Sequence, residues 1–242
     1  MSSTREKSLV YAVGEKQYIG LFLTAADRRT QAMVVLLPDW RGQSGLARDH
    51  AGYLVQLGYD VVIADLYGDG FTPTDPAQVG PLVKRLLENR GEGVKALQGC
   101  IEEIKIQLGF SGPIFCLGYS AGGMVALDYG RTGATLAGII VCSGLLKTAA
   151  PGMPAGIKAP VLFLQGTQDE VSTMDVVNAV IKEMDEAGNN FRFELFGQTH
   201  HAFDNPEAGT DPTARLVYSP RSAARARLAI ADFLGAANKS SV

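Results

Sequence analysis

A serine, a histidine and an aspartate are the residues of this chain whose types and settings suit covalent chemistry. Ser120 lies in Gly118-Tyr119-Ser120-Ala121-Gly122, a G-x-S-x-G pattern followed by a further Gly123. The residues before it, Pro113 to Leu117, form a short apolar run that reads as a buried strand. Those after it, Met124, Val125, Leu127 and Tyr129, have helical spacing. Strand, tight turn and helix in that order are what a nucleophile elbow requires. The turn imposes an unfavourable backbone on the serine, and side chains two before and two after it would collide, so glycine is expected there. The hydroxyl then stands above the sheet edge, with the Ala121 N–H aimed into the same space from the helix start. Ser120 is therefore the candidate nucleophile. Taken alone, the pattern also fits an ordinary strand-to-helix turn.

A serine hydroxyl needs a base at neutral pH, and imidazole is the natural one. The imidazole in turn needs a carboxylate to fix its tautomer. In chain order the sequence offers Ser120, Asp169 and then the adjacent pair His200-His201. Nucleophile, acid, histidine is the order of the α/β-hydrolase arrangement. Asp169 is preferred over its neighbour Glu170 because it lies nearer a strand end; as a bland alternative it is a helix N-terminal residue. Periodicity does not choose between His200 and His201. The third histidine, His50, falls inside a predicted helix and reads as packed or solvated there.

The elements that must position these groups are legible as runs and breaks. Strands are predicted at 8–13 and 17–24 as a hairpin, then at 32–37, 59–64, 113–117, 136–142, 160–165 and 191–196. Helical patterns cover 46–57, 81–108 with an interruption near Gly91-Glu92-Gly93, 173–187 and 220–234. Residues 71–80 and 204–219 read as loops, and the tail after Gly235 as frayed. Alternation of strands with helices from Ala32 onward predicts a mostly parallel sheet of about eight strands with helices on both faces. Residues 1–242 are expected to form a single domain. Functional groups gather beyond the carboxyl ends of such strands. Asp39-Trp40, Ser120, Asp169 and His200-His201 all occupy that position.

Composition bounds the rest. In 242 residues, 46% are apolar and 19% charged, enough for a large core. The formal net charge of -3 gives no electrostatic reason to expect nucleic acid or an anionic membrane as partner. Three cysteines, Cys100, Cys116 and Cys142, sit in apolar surroundings and read as buried free thiols of a reducing compartment. No apolar leader or membrane-spanning run is seen, so a cytoplasmic protein is expected, with a monomer as the default. No metal and no organic cofactor is expected: the His200-His201 pair is too close for both rings to ligate easily, and no H-x-x-x-H or cysteine cluster is present.

The ordered set VVLLPDWRG, LGYDVVIADLYGDG, LGYSAGG, APVLFLQGTQDEV and HAFDNP resembles the dienelactone hydrolase family of carboxymethylenebutenolidase-like α/β hydrolases. Tyr218 and Arg221 also fall about where that family has a tyrosine and an arginine. The resemblance implies an α/β-hydrolase fold, His201 as the H-A-F histidine, and Asp169 as the acid. It implies an oxyanion hole from the N–H groups of Ala121 and Trp40. It makes Asp39 a modulator of the nucleophile, with a loop-capping role as the alternative. Trp40, Tyr67, Phe71, Tyr119 and Phe203 are candidates for a partly apolar substrate pocket, or for core packing.

Two features depart from the family pattern. The family usually carries cysteine at the elbow, where this chain has Ser120. Family members that act on carboxylate-bearing dienelactones use an arginine just after the DLY strand, where Gly68, Asp69 and Gly70 stand here. Arg41 is a substitute candidate for substrate contact, with a solvated surface charge as its bland reading. The reaction expected is acyl transfer from a small ester or lactone to water. Thioesterase, peptidase or acyltransferase activity on the same three residues is an alternative, and a non-catalytic ligand-binding protein on a hydrolase scaffold is another.

Overall fold

The computed structural model describes residues 4–25, 30–153 and 156–239. Among them are eight strands and six helices. The chain divides into two compact units, one up to Leu117 and the other from Gly118. No helix among the described residues is long and apolar enough to cross a membrane.

The first unit begins with a hairpin of β1 (Thr4–Val13) and β2 (Lys16–Ala25), joined through Gly14 in the left-handed region. The ladder runs from Thr4 opposite Ala25 to Val13 opposite Lys16. It is longer than the expected 8–13 and 17–24. Antiparallel backbone pairing carries on past the last apolar residue, and the added β1 residues are exposed. Leu9 and Tyr11 turn inward, and Tyr11 stacks on Tyr18 at 5.4 Å. β3 (Met33–Leu37), a continuous apolar run, and β4 (Asp60–Ile63) are buried at every residue, and the buried Asp60 accepts the Thr24 hydroxyl at 2.6 Å. β4 pairs antiparallel with β2 and parallel with β3. The start of β5 (Ile114–Tyr119) lies beyond β3, where Met33 N–H meets the Pro113 carbonyl at 2.9 Å.

Helix α1 (Gly45–Gln56) starts at Ser44, whose hydroxyl accepts the Ala47 N–H, and buries His50 on its inner face. The segment 71–80, read as loop, is helical from Pro76. There Asp75 and Gln78 form a reciprocal capping box, with Pro76 at the first helical position. That signal outweighs the Pro and Gly content of the segment. The interruption expected near Gly91–Gly93 falls instead at Asn89, between α2 (Pro76–Glu88) and α3 (Arg90–Gln107). Asn89 takes a non-helical backbone (φ -123°, ψ 55°), whereas the glycines continue the helix.

Asp65 organises the turn after β4. Its carboxylate accepts N–H bonds from Tyr67 (2.9 Å), Gly68 (2.8 Å), Gly70 (2.8 Å) and Ile19 (3.0 Å). Four donors on one buried carboxylate offset its desolvation and hold the DLYGDG turn against the hairpin.

In the second unit the end of β5 leads to β6 (Gly138–Cys142), β7 (Val161–Gly166) and β8 (Phe191–Phe196), in that order across the sheet. β6, β7 and β8 run parallel, with Ile139 beside Val161 and Val161 beside Phe191. Phe163 and Phe193 stack at 4.1 Å between neighbouring strands. Parallel pairing brings the carboxyl ends of these strands to one edge. Helices α4 (Ala121–Arg131) and α5 (Met174–Glu186) follow β5 and β7. The last helix, α6 (Pro220–Lys239), runs past the expected end at Leu234. A single glycine, Gly235, costs only about 1 kcal/mol inside a helix and does not stop this one. Residues 240–242, the rest of the expected frayed tail, lie outside the described residues.

Arg131 at the end of α4 is wholly buried. Its guanidinium donates to Asp128 at 2.8 Å, to Glu183 of α5, and to the Lys147 carbonyl at 3.1 Å. Glu183 also accepts the Ala149 N–H at 2.6 Å. This network ties two helices and a loop through one cation. Arg131→Ala is expected to lower unfolding stability by about 3–5 kcal/mol, because it leaves the buried Asp128 and the part-buried Glu183 without their cation. Lys84→Ala, which removes the exposed Lys84–Glu88 pair, is expected to cost under about 1 kcal/mol. Urea unfolding midpoints of the two variants check both values.

Candidate active site

Ser120 sits between β5 and α4 with φ 48° and ψ -116°, a strained backbone for a residue with a side chain. The strain is held by neighbours. The Ser120 carbonyl accepts N–H bonds from Gly123 (3.0 Å) and Leu145 (2.8 Å), and its own N–H reaches the Cys142 carbonyl at 3.3 Å. A Cβ on Gly118 would overlap the Gly122 backbone, so the residue two before the serine has no room for a side chain. Gly123 is as tightly placed, with an added Cβ meeting Val141 Cγ1 at 2.8 Å. The apolar strand, the glycines and the helix therefore act together: they push the serine side chain out of the turn.

Ser120 Oγ lies 2.9 Å from His201 Nε2. His201 Nδ1 lies 2.7 Å from Asp169 Oδ2. Asp169 Oδ1 accepts the N–H groups of Val171 (2.7 Å) and Ser172 (2.8 Å). Oδ2 also accepts Gln165 Nε2–H at 2.5 Å. A carboxylate that receives donors on both oxygens acts as an acceptor, so the ring proton sits on His201 Nδ1. The lone pair of Nε2 then faces the Ser120 hydroxyl, the tautomer a general base needs. Asp169 and His201 are each only 4% exposed, while Ser120 is half-buried. The geometry thus gives a hydroxyl open to a reactant, backed by a dry imidazole and a dry carboxylate.

The neighbours of these residues fall elsewhere. Glu170 is exposed, and the contact to the ring is made by Asp169. His200 lines a shallow cavity with Thr167, Gln168 and Thr173, and its buried Nδ1 has no protein partner. Ala121 is the first residue of α4, so its N–H is free of intrahelical bonding at the positive end of the helix. Tyr119 is buried at the end of β5. Phe203 packs into the core rather than lining a pocket: it is fully buried, with its ring edge-on to Phe196 at 5.4 Å.

Tyr218 N–H donates to the Gly209 carbonyl at 2.7 Å and Arg221 Nη2 to the Gly197 carbonyl at 3.3 Å, both within the second unit. Asp39, Trp40, Arg41, Tyr67 and Phe71 belong to the first unit. Asp39 and Arg41 form a close pair, with Nη2 to Oδ2 at 2.7 Å and Nε to Oδ2 at 3.0 Å. Arg41 is 9% exposed, and its guanidinium lies 5.4 Å from the centre of the Trp40 ring. It is therefore a buried, paired cation, not a solvated surface charge. Asp39 also accepts the Arg41 N–H at 2.9 Å, which gives it the loop-capping role. The Trp40 carbonyl accepts the Tyr67 hydroxyl at 2.8 Å. Burial and the nearby Asp39 push the Tyr67 hydroxyl well above its ordinary pKa, so it stays a donor. Phe71 is 42% exposed.

All three cysteines are free and buried. Burial pushes the Cys100 thiol up to about 12 and raises Cys116 and Cys142 as well. None of them offers a thiolate near neutral pH.

Sequence reasoning missed the groups that hold the Ser120–His201–Asp169 chain together. Gln165 ends an otherwise apolar strand, and its carbonyl oxygen accepts the Gly144 N–H at 3.1 Å. Ser143 Oγ accepts the Ala202 N–H at 2.9 Å, next to the histidine. Ser172 Oγ–H donates to the Gly144 carbonyl at 2.8 Å and accepts the Leu146 N–H at 2.8 Å. A polar residue at the end of a VLFLQG run was the available signal for Gln165. Backbone strain marks the same region. Of five non-glycine residues with positive φ among those described, Ser120, Ser143, Gln198 and Ala202 lie in these loops.

The fold is shared with proteins of known structure. The solved structure m3DLH superposes with a TM-score of 0.89 at 25% identity, over 97% of this chain and 98% of that one. A dienelactone hydrolase-like promiscuous phosphotriesterase from metagenomic libraries gives 0.89 at 24% identity, over 96% and 98%. An esterase of Pyrococcus furiosus gives 0.67 at 14% identity, over 97% and 92%, and shares the fold alone. No curated protein sequence matches the chain. The profile of the dienelactone hydrolase family matches residues 20–238 of the 242. With an α/β-hydrolase fold and a family match over nearly its whole length, the chain belongs to the dienelactone hydrolase family.

Proposed function

We propose that the protein is a serine hydrolase that cleaves a small ester or lactone through an acyl-enzyme. The observation that carries this reading is the continuous hydrogen-bond chain from Ser120 Oγ through His201 to Asp169, at 2.9 and 2.7 Å. In the proposed reaction Ser120 Oγ attacks the carbonyl carbon while His201 Nε2 takes the hydroxyl proton. The carbonyl oxygen becomes an oxyanion, held by the Ala121 N–H at the positive end of α4. Collapse of this intermediate breaks the bond to the leaving alkoxide, which receives the proton from Nε2. A water then gives its proton to Nε2 and its oxygen to the acyl carbon, and the acid is released with Ser120 restored. Asp169 stays an acceptor throughout and stabilises the imidazolium formed twice in the cycle.

A serine nucleophile is also consistent with the state of the thiols. Cys116 lies within β5 and Cys142 ends β6, and burial keeps both protonated. The small-substrate part of the proposal draws on the family and on the absence of a long insertion between the strands that bear the three residues. The shortest route between classes is a panel of p-nitrophenyl esters, lactones, thioesters, peptides and a phosphotriester.

Ser120→Ala and His201→Gln are each expected to lower kcat on p-nitrophenyl acetate by about four to six orders of magnitude, with folding unchanged by circular dichroism. Retention of more than a tenth of the activity in either variant contradicts the proposal. Treatment of the native protein with iodoacetamide is expected to leave activity intact, and all three thiols should react only after unfolding. Activity assays with thiol counting on native and unfolded protein check this.

A further inference from the structure

Gln165 is a carboxamide 1% exposed at the end of an apolar strand. A buried amide is costly unless its donors and acceptor are used. Here both ends are engaged, and the partners define which end is which. Gly144 N–H can only donate, so it meets the oxygen Oε1 at 3.1 Å. Asp169 Oδ2 accepts, so it meets the nitrogen Nε2 at 2.5 Å. The amide orientation therefore follows from chemistry. Oδ2 is the same oxygen that faces His201 Nδ1, whereas Oδ1 is occupied by two backbone N–H groups.

We propose that Gln165 is a positioning residue: its carboxamide sets the Asp169 carboxylate against His201 and registers that pair with the loop that holds Ser120. The proposal rests on the serine-hydrolase reading above. The loop concerned is residues 143–146. Gly144 N–H binds Gln165, the next N–H, of Leu145, binds the Ser120 carbonyl at 2.8 Å, and Ser143 Oγ binds the residue after His201. One four-residue loop thus meets the segments that carry nucleophile, acid and base. Gly144 has no room for a side chain, since a Cβ there would overlap Val141 Cγ1. Without Gln165 the Oδ2 oxygen keeps a single donor, His201, and the loop loses its tie to the acid. The Asp169 carboxylate is then free to roll about its Oδ1 bonds, which shifts the imidazole from the serine.

Gln165→Met keeps length and volume but removes donor and acceptor. It is expected to lower kcat on p-nitrophenyl acetate by about ten- to a hundredfold, as a small misplacement of a reacting group does, with KM within about twofold. The proton on His201 Nδ1 is expected to give a downfield NMR line in the native protein. In Gln165→Met that line should move, because its acceptor oxygen has lost the competing donor. The line is read again in a Ser120→Ala background, where no turnover is possible. It therefore reports Gln165 even if the protein proves inactive on every ester, which would sink the hydrolase reading alone. Should Gln165→Met fail to fold, native protein labelled with 15N-glutamine supplies the test: one Gln165 side-chain N–H should be shifted downfield and protected from exchange. An unmoved His201 line in Gln165→Met, or a fast-exchanging, unshifted Gln165 amide, overturns the proposal.

Discussion

The constraint on which the site depends is the left-handed backbone of Ser120. A φ of 48° on a residue with a Cβ costs on the order of 1–3 kcal/mol, and the surrounding bonds must supply it. They do so from three directions: the N-terminus of α4, the carbonyl at the end of β6, and the loop after β6. The absence of a side chain at Gly118 is what lets the turn close. The reward of the strain is direction. A hydroxyl that points out of the turn meets His201 Nε2 at 2.9 Å, at the start of the helix whose first N–H is that of Ala121.

The rest of the second unit is arranged to keep the partners of that hydroxyl fixed and dry. β6, β7 and β8 run in parallel, so the segments after them emerge at one edge. Asp169 and His201 are buried, and both oxygens of the carboxylate and both nitrogens of the ring are engaged. Low exposure strengthens such charge-assisted bonds, and the same low exposure makes an unpaired group costly. The network is consequently either complete or damaging, which is why Gln165, Ser143 and Ser172 belong to the chemistry although none of them reaches the serine.

Much of this was legible in the sequence, for reasons that differ by residue. The apolar runs in β3, β4 and β7 and the glycine-flanked serine are strong local signals, and chain order together with nearness to a strand end pairs Ser120 with Asp169. His201 could not be told from His200 by periodicity; the family motif named it, and only the path of the backbone after β8 turns one ring to the serine and the other away. Helix ends were misplaced where two local rules compete. Residues 71–80 read as a loop, but Pro76 begins α2, because Asp75 and Gln78 cap it. Gly91 and Gly93 were read as the break, while Asn89 makes it. The second layer of contacts was out of reach, since a glutamine in an apolar strand shows that something polar must meet it but not what. The Asp39–Arg41 pair was hidden for the same reason: a buried arginine needs its anion, and two residues of separation did not reveal that the anion was so near.

The central claim, that Ser120 takes the acyl group, is tested most directly by trapping it. An aryl carbamate should release one equivalent of phenol per protein and leave a long-lived carbamoyl group. Peptide mapping by mass spectrometry then locates that group. The account predicts a single carbamoyl adduct on the peptide bearing Ser120, with loss of activity in proportion to labelling. Inactivation with the adduct on any other residue would contradict it.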